Sequence, residues 1–390
     1  MTDTLHPAAN VAKDGPLWDL TALGQSVWLD YIRKGILDNG ELERMIREDA
    51  VRGITSNPAI FEQAIGRSDD YDDVLPKLAA SGIDASAAYE QLAIDDIQRA
   101  ADLFRDIYEE SDGADGYVSL EVSPELASDS KGSLEEARRL WKAVGRPNVM
   151  IKIPGTAEGL PAIEEALFDG INVNVTLLFS LTSHEAVMER YLRALERRSE
   201  KGLPLSRIAS VASFFISRVD TAVDAILDQK AAAAGSAEER SRIELLLGKA
   251  AIANAKISYH RFSEIFGGSR FGSLRGKGAQ VQRPLWASTS TKNPAYRDVI
   301  YVEELIGPDT VNTMPLPTVQ AFGDHGVAHR SIDEDLDGAR KTLSDLADLG
   351  VDLDAVTRHL QKDGVDKFVV PFRDMLKSVE QKLAQVGSAA

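Results

Sequence analysis

The chain has 390 residues, 44% of them hydrophobic and 6% aromatic, with 44 Lys and Arg against 61 Asp and Glu for a net charge of −17. That acidity excludes a broad nucleic-acid or anionic-membrane footprint, so any anionic substrate needs a local basic pocket. Cysteine is absent, which excludes thiol catalysis, thiolate metal sites and disulfides; with no apolar leader core and no uninterrupted apolar run near about 18 residues, the reading is a cytoplasmic protein that does not enter a membrane.

In chain order, short β-type runs occur at 26–32 (SVWLDYI), 53–57 (GITSN), 116–122 (GYVSLEV), 148–153 (NVMIKI), 172–179 (NVNVTLLF), 208–215 (IASVASFF), 283–288 (RPLWAS) and 310–315 (TVNTMP). Helical patterns fill most of the gaps, at 85–110, 133–144, 157–168, 183–201 and 216–234, each long enough for a crossover between parallel strands. Eight strands alternating with helices predict an α/β fold of the (β/α)8 TIM-barrel type, with 1–390 as one domain. Two segments exceed the minimal barrel. A helical insertion at about 235–282 separates strands six and seven; within it 238–266 reads as one long helix with Ile243, Leu246, Leu247, Ala250, Ile252 and Ile257 on its apolar face. The C-terminal segment, about 333–386, reads as helices at 333–347 and 353–386 that cover the barrel exterior.

Side chains alternate faces along a strand, so residues i and i+2 point the same way. Ser119 and Glu121 therefore share a face, as do Asn172, Asn174 and Thr176. Polar residues recur late in strand after strand: Asp30, Thr55 with Asn57, Glu121, Lys152, Asn174 with Thr176, Ser213 and Ser288. In a parallel barrel those C-terminal ends form the catalytic face. Lys152 is the telling member, because VMIKIPGT places an ammonium inside an apolar run where burial is costly. A desolvated lysine favours the neutral amine, which can attack a carbonyl and form a Schiff base. Carbon–carbon cleavage beside such an imine needs a base for a hydroxyl and a relay for water, and Asp30 and Glu121 are the carboxylates at hand. A purely structural ion pair of Lys152 with Asp30 or Glu121 is the competing reading of the same residues.

The segments GITSNPAIFEQAI, SLEVSPELA, VMIKIPGTAEGL, GINVNVTLLFS, ASVASFFISRVD and LWASTSTKNP, in that order, resemble the transaldolase family, in particular its longer bacterial type with a WLD first strand. The resemblance covers 17–326 and implies a class I Schiff-base aldolase barrel. On that resemblance Lys152 in MIKIPGT is the Schiff-base lysine. Glu121 in SLEV works with a water held by Thr176 in NVTLLFS, and Asp30 in VWLD is the acid/base. Asn57 in TSNP, with Thr55 beside it, and Asn174 in NVNVT orient sugar hydroxyls; Ser213 contacts substrate, and Arg218 binds phosphate. The second half of the family's phosphate site is a serine followed two residues later by an arginine; here Ser288 is followed by Thr289 and Ser290, leaving Lys292 as the nearest cation, so Ser288, Ser290 and Lys292 are expected to complete the phosphate pocket.

The resemblance implies transfer of a dihydroxyacetone unit from fructose 6-phosphate or sedoheptulose 7-phosphate to erythrose 4-phosphate or glyceraldehyde 3-phosphate in the non-oxidative pentose phosphate pathway. It implies sugar-phosphate substrates, no cofactor, and a monomer or homodimer. A simple aldolase releasing free dihydroxyacetone, and a non-catalytic sugar-phosphate-binding barrel, are the alternatives. The stretch GGSRFGSLRGKG lacks the ending of a phosphate-binding P-loop and reads as a flexible basic loop near the phosphate end. His325 and His329 are four residues apart, but Gly326 between them disfavours a rigid helical metal pair, and no metal is expected.

Overall fold

The computed structural model describes residues 13–388. Among them, eight strands form at the predicted runs: β1 (Gln25–Asp30), β2 (Val51–Thr55), β3 (Val118–Glu121), β4 (Val149–Pro154), β5 (Val173–Leu178), β6 (Ser210–Phe215), β7 (Arg283–Ala287) and β8 (Thr310–Met314). They pair in parallel in chain order, and β8 closes on β1 to make a barrel. β4, β5 and β6 are buried along their whole length, as expected of strands with helices on one face and the barrel interior on the other.

The interior is filled rather than hollow. At the N-terminal end Arg283 on β7 donates to the Ser26 hydroxyl on β1 at 2.7 Å, and Asp115 accepts from Trp28 Nε1 at 2.8 Å. Trp28 lies opposite Gly53 in the β1–β2 register. A Cβ on Gly53 would stand 2.6 Å from the indole, so only glycine lets that ring pass.

Several readings outside the strands need correction. The helix read over 85–110 is two, Ala85–Leu103 and Arg105–Glu110, parted at Phe104. The long insertion helix is likewise two, Ala237–Glu244 and Ala250–Gly267, because the chain turns through Gly248 at φ 70°. There Gly248 N–H and Ala251 N–H are capped by the buried carboxylates of Asp224 and Asp220. The basic stretch after it is no loop near the phosphate end. It contains the helix Ser269–Arg275, with Arg270 paired to Glu189 and Glu196 and Lys277 donating to Ser199. Those partners lie along helix Leu181–Glu200, towards the end that has run back from the C-terminal end of β5 to the opposite rim.

The C-terminal helices also divide. Helix Leu336–Asp348 packs on the insertion helix, outside the barrel as expected. The last helix, Leu353–Ser388, does not stay on the exterior. Its 36 residues, about 54 Å at 1.5 Å per residue, cross the C-terminal mouth of the barrel. Its Gln361 side chain bonds the ends of β4 and β5, and Lys382 reaches the Ser68 carbonyl at 2.6 Å.

Candidate active site

Register places the predicted residues at one level. Glu121 on β3 pairs with Lys152 on β4, Lys152 with Asn174 on β5, and Asp30 on β1 with Thr55 on β2. Lys152 is 5% exposed. Its Nζ donates to the Ser56 carbonyl at 2.8 Å and meets Glu121 Oε2 at 3.3 Å. The ring of Phe368, from the last helix, covers it at 5.8 Å. The ammonium is thus buried but not abandoned.

Around it opens a cavity of about 150 Å³, lined by Asp30, Thr55, Asn57, Lys152, Thr176, Ser213, Arg218, Ser288, Ser290 and Lys292, together with Phe215, Thr313 and Phe368. Of the predicted residues only Glu121 and Asn174 do not line it. Glu121 stands in the wall between this cavity and a neighbouring one of about 230 Å³, which also shares Asn57 and is bounded by Tyr89 and Phe372. Asn174 is fully buried beneath, donating to Ser119 Oγ at 3.0 Å and accepting from Ser213 at 2.6 Å, so it meets the cavity through Ser213.

The Thr55 hydroxyl donates to Asp30 Oδ1 at 2.7 Å, which leaves Thr313, 2.6 Å from Thr55, to donate in turn. Burial pushes the Asp30 carboxyl above its ordinary value, opposed by the Thr55 hydrogen bond and by the charges of Lys152 and Arg218. Burial also raises Glu121; Lys152 opposes that rise and the Asp30 charge adds to it. Two buried carboxyls with upward-shifted pKa values at one lysine-bearing site are suited to exchanging protons with a bound substrate. Glu121 Oε1 and Thr176 Oγ1 are buried with no hydrogen-bond partner among the described residues, available to a water or a substrate atom.

Arg218 begins the helix after β6 and stacks on Phe215 at 5.2 Å. Its Nη1 is buried with no hydrogen-bond partner among the described residues, and burial lowers its pKa while Asp363 and Asp30 hold it up. A desolvated guanidinium with an unused donor is prepared for an anion. Lys292 approaches the same cavity from an exposed position and donates to Ser290 Oγ at 2.8 Å. Two strand ends at the cavity carry non-glycine residues in the left-handed region, Leu177 at φ 62° and Ser288 at φ 57°, each costing about 1–3 kcal/mol and retained where surroundings enforce it.

The family model described as Transaldolase/Fructose-6-phosphate aldolase matches residues 27–379. The chain is 45% identical to the transaldolase of Trichodesmium erythraeum over 376 residues, 95% of this chain and 98% of the relative. It is 47% identical to that of Thiobacillus denitrificans over 361 residues (93% and 98%), and 45% identical to that of Mycolicibacterium smegmatis over 374 (96% and 99%). The chain belongs to the transaldolase family.

It is a transaldolase-family enzyme, and the Ser288–Lys292 segment, where the expected arginine is missing, does reach the cavity. Sequence reading missed Phe215, Thr313 and, from the last helix, Gln361, Asp363 and Phe368. Phe215 lay inside a quoted motif, and Thr313 falls on the inward face late in β8, where the same alternation could have found it. Nothing local marks the three helix residues. Among the described residues, no group of three or more metal-ligating side chains forms. His325 ends a helix and is held by Asp298 and Asp324, while His329 lies beyond it. No helix among the described residues is long and apolar enough to cross a membrane.

Proposed function

We propose that this single-domain barrel acts in the cytoplasm, as a monomer or homodimer, transferring a dihydroxyacetone unit between sugar phosphates of the pentose phosphate pathway through a Schiff base on Lys152. The observation that carries the reading is the burial of Lys152 at the cavity wall beside Glu121, with Asp30 and Thr176 lining the same cavity. Lys152 Nζ attacks the ketose carbonyl carbon, and the resulting carbinolamine loses its hydroxyl as water, assisted by Glu121 and a water held by Thr176. Asp30 then takes the proton of the C4 hydroxyl as the C3–C4 bond breaks. The electron pair passes into the imine to give an enamine, and the aldose phosphate leaves. An acceptor aldehyde is attacked by the enamine carbon, Asp30 returns the proton to the new hydroxyl, and water hydrolyses the imine.

Asn57 and Ser213, the latter fixed by Asn174, orient the sugar hydroxyls, with Thr55 holding Asp30 in place. Arg218, Ser288, Ser290 and Lys292 take the phosphate. The identity to curated transaldolases favours transfer over release of free dihydroxyacetone.

The test is borohydride reduction in the presence of fructose 6-phosphate, followed by peptide mass mapping. A reduced three-carbon adduct on Lys152 is the expected result, together with turnover that depends on an aldose phosphate acceptor. Binding of the sugar phosphate with no adduct anywhere would remove the Schiff-base reading. Turnover independent of acceptor would make the enzyme an aldolase.

A further inference from the structure

The end of β5 is bent out of regular strand geometry. Its pairing with β6 slips between Val175 and Leu178, and Leu177 takes the left-handed backbone. Thr176, which lines the cavity, sits inside this irregular corner, its buried hydroxyl without a hydrogen-bond partner among the described residues. A strained conformation of this kind lasts only where its surroundings determine it, and here one of the restraints is a side chain of the last helix. Gln361 Nε2 donates to the Leu177 carbonyl and to the Gly155 carbonyl, both at 3.1 Å. Gly155 N–H in turn donates to the Thr176 carbonyl at 2.7 Å. One amide therefore ties the end of β4, three residues beyond Lys152, to the end of β5, one residue beyond Thr176.

The helix is seated closely enough to do this. A Cβ on Gly364 would stand 2.8 Å from Leu177 Cδ2, so the helix backbone rests directly on the strained residue. Gln361, Gly364 and Phe368 share one helix face by their spacing of three and four, and Phe368 carries that face over Lys152.

We infer that Gln361 is a positioning residue: by locking the β4–β5 corner it aims the Thr176 hydroxyl at the water that serves Lys152. This rests on the proposed role of Thr176. Formation and hydrolysis of the imine both pass through that water, and a displacement of about 1 Å is enough to slow a positioned reaction by on the order of a hundredfold.

The test compares Gln361→Leu and Gln361→Glu, which keep the side-chain size and remove the donor, with Thr176→Ala and with Gln361→Leu combined with Thr176→Ala, each checked by thermal melting. Expected is a kcat lower by roughly ten- to a hundredfold, a KM for fructose 6-phosphate within about threefold of the parent, and a proportionally slower appearance of the borohydride-trapped adduct. In the Thr176→Ala background, Gln361→Leu should lower kcat by no more than about twofold, since both changes spoil one interaction. A folded Gln361→Leu or Gln361→Glu enzyme with native kcat overturns the inference, as does a double variant whose losses multiply. Should Thr176→Ala itself form adduct at the native rate, the reading of Thr176 falls and the inference with it; a slow Thr176→Ala beside a native-like Gln361→Leu defeats the inference alone.

Discussion

Replacing Lys292 and Arg218 singly with alanine tests the phosphate site that this chain builds without the expected second arginine. A charge-assisted hydrogen bond is worth about 1.5–3 kcal/mol, and about 1.4 kcal/mol is tenfold in a rate or equilibrium constant. The two cations differ in burial, and burial decides where each falls. Arg218 is largely desolvated and keeps a buried Nη1 with no partner among the described residues, so its loss should take the upper end, on the order of a hundredfold in kcat/KM for fructose 6-phosphate. Lys292 is exposed, so water and salt screen it and its loss should cost about tenfold at low ionic strength. The assay is steady-state transfer to an aldose phosphate with fructose 6-phosphate or unphosphorylated fructose as donor. The Lys292→Ala loss should appear with the phosphorylated donor and vanish with fructose. Near about 1 M salt, where the screening length falls to about 3 Å, the Lys292 contribution should shrink far more than that of Arg218. Equal losses for both donors, or no loss with the phosphorylated one, would refute the assignment of Lys292 to phosphate.

Two further outcomes concern pH. Asp30 must be ionised to accept a proton, and burial raises its pKa while Arg218 is among the groups that lower it; Arg218→Gln should therefore move the acid limb of the kcat/KM profile, measured with unphosphorylated fructose, to higher pH, and a limb that stays or moves down contradicts the coupling. His184 is fully buried beside Phe214, its Nδ1 2.9 Å from the Ser258 hydroxyl, and burial pushes its pKa down to about 4. Between the unfolded value of about 6.5 and pH 4 the unfolded chain binds more protons than the native one, so stability present above pH 6.5 is lost as pH falls, by about 1.4 kcal/mol per unit and about 3 kcal/mol in all. Urea unfolding at pH 7 and pH 4.5 should show a smaller difference for His184→Gln than for the parent; equal differences would place the acid sensitivity elsewhere.

The strands, and most of the site, could be read in the sequence because both depend on local rules. A strand buried on two faces must be a short apolar run, and alternation then fixes which of its polar residues enter the barrel. Asp30, Glu121, Lys152, Asn174 and Ser213 could each be assigned from their own strand, and β-strand closure did the rest by bringing eight strand ends to one rim. Helix limits were less legible where a break depends on distant groups, as at Gly248, where Asp220 and Asp224 from another helix cap the new N-terminus.

What the sequence determined by itself is the barrel, the set of strand-borne polar residues and the family. Only the tertiary structure decided that the last helix crosses the mouth, that Phe368 covers Lys152, and that Gln361 holds the corner beside Thr176 across separations of 206 and 184 residues. The reason is that an amphipathic pattern specifies which face of a helix is buried but not what it is buried against; that choice is made when the completed barrel presents a surface on which the helix can dock.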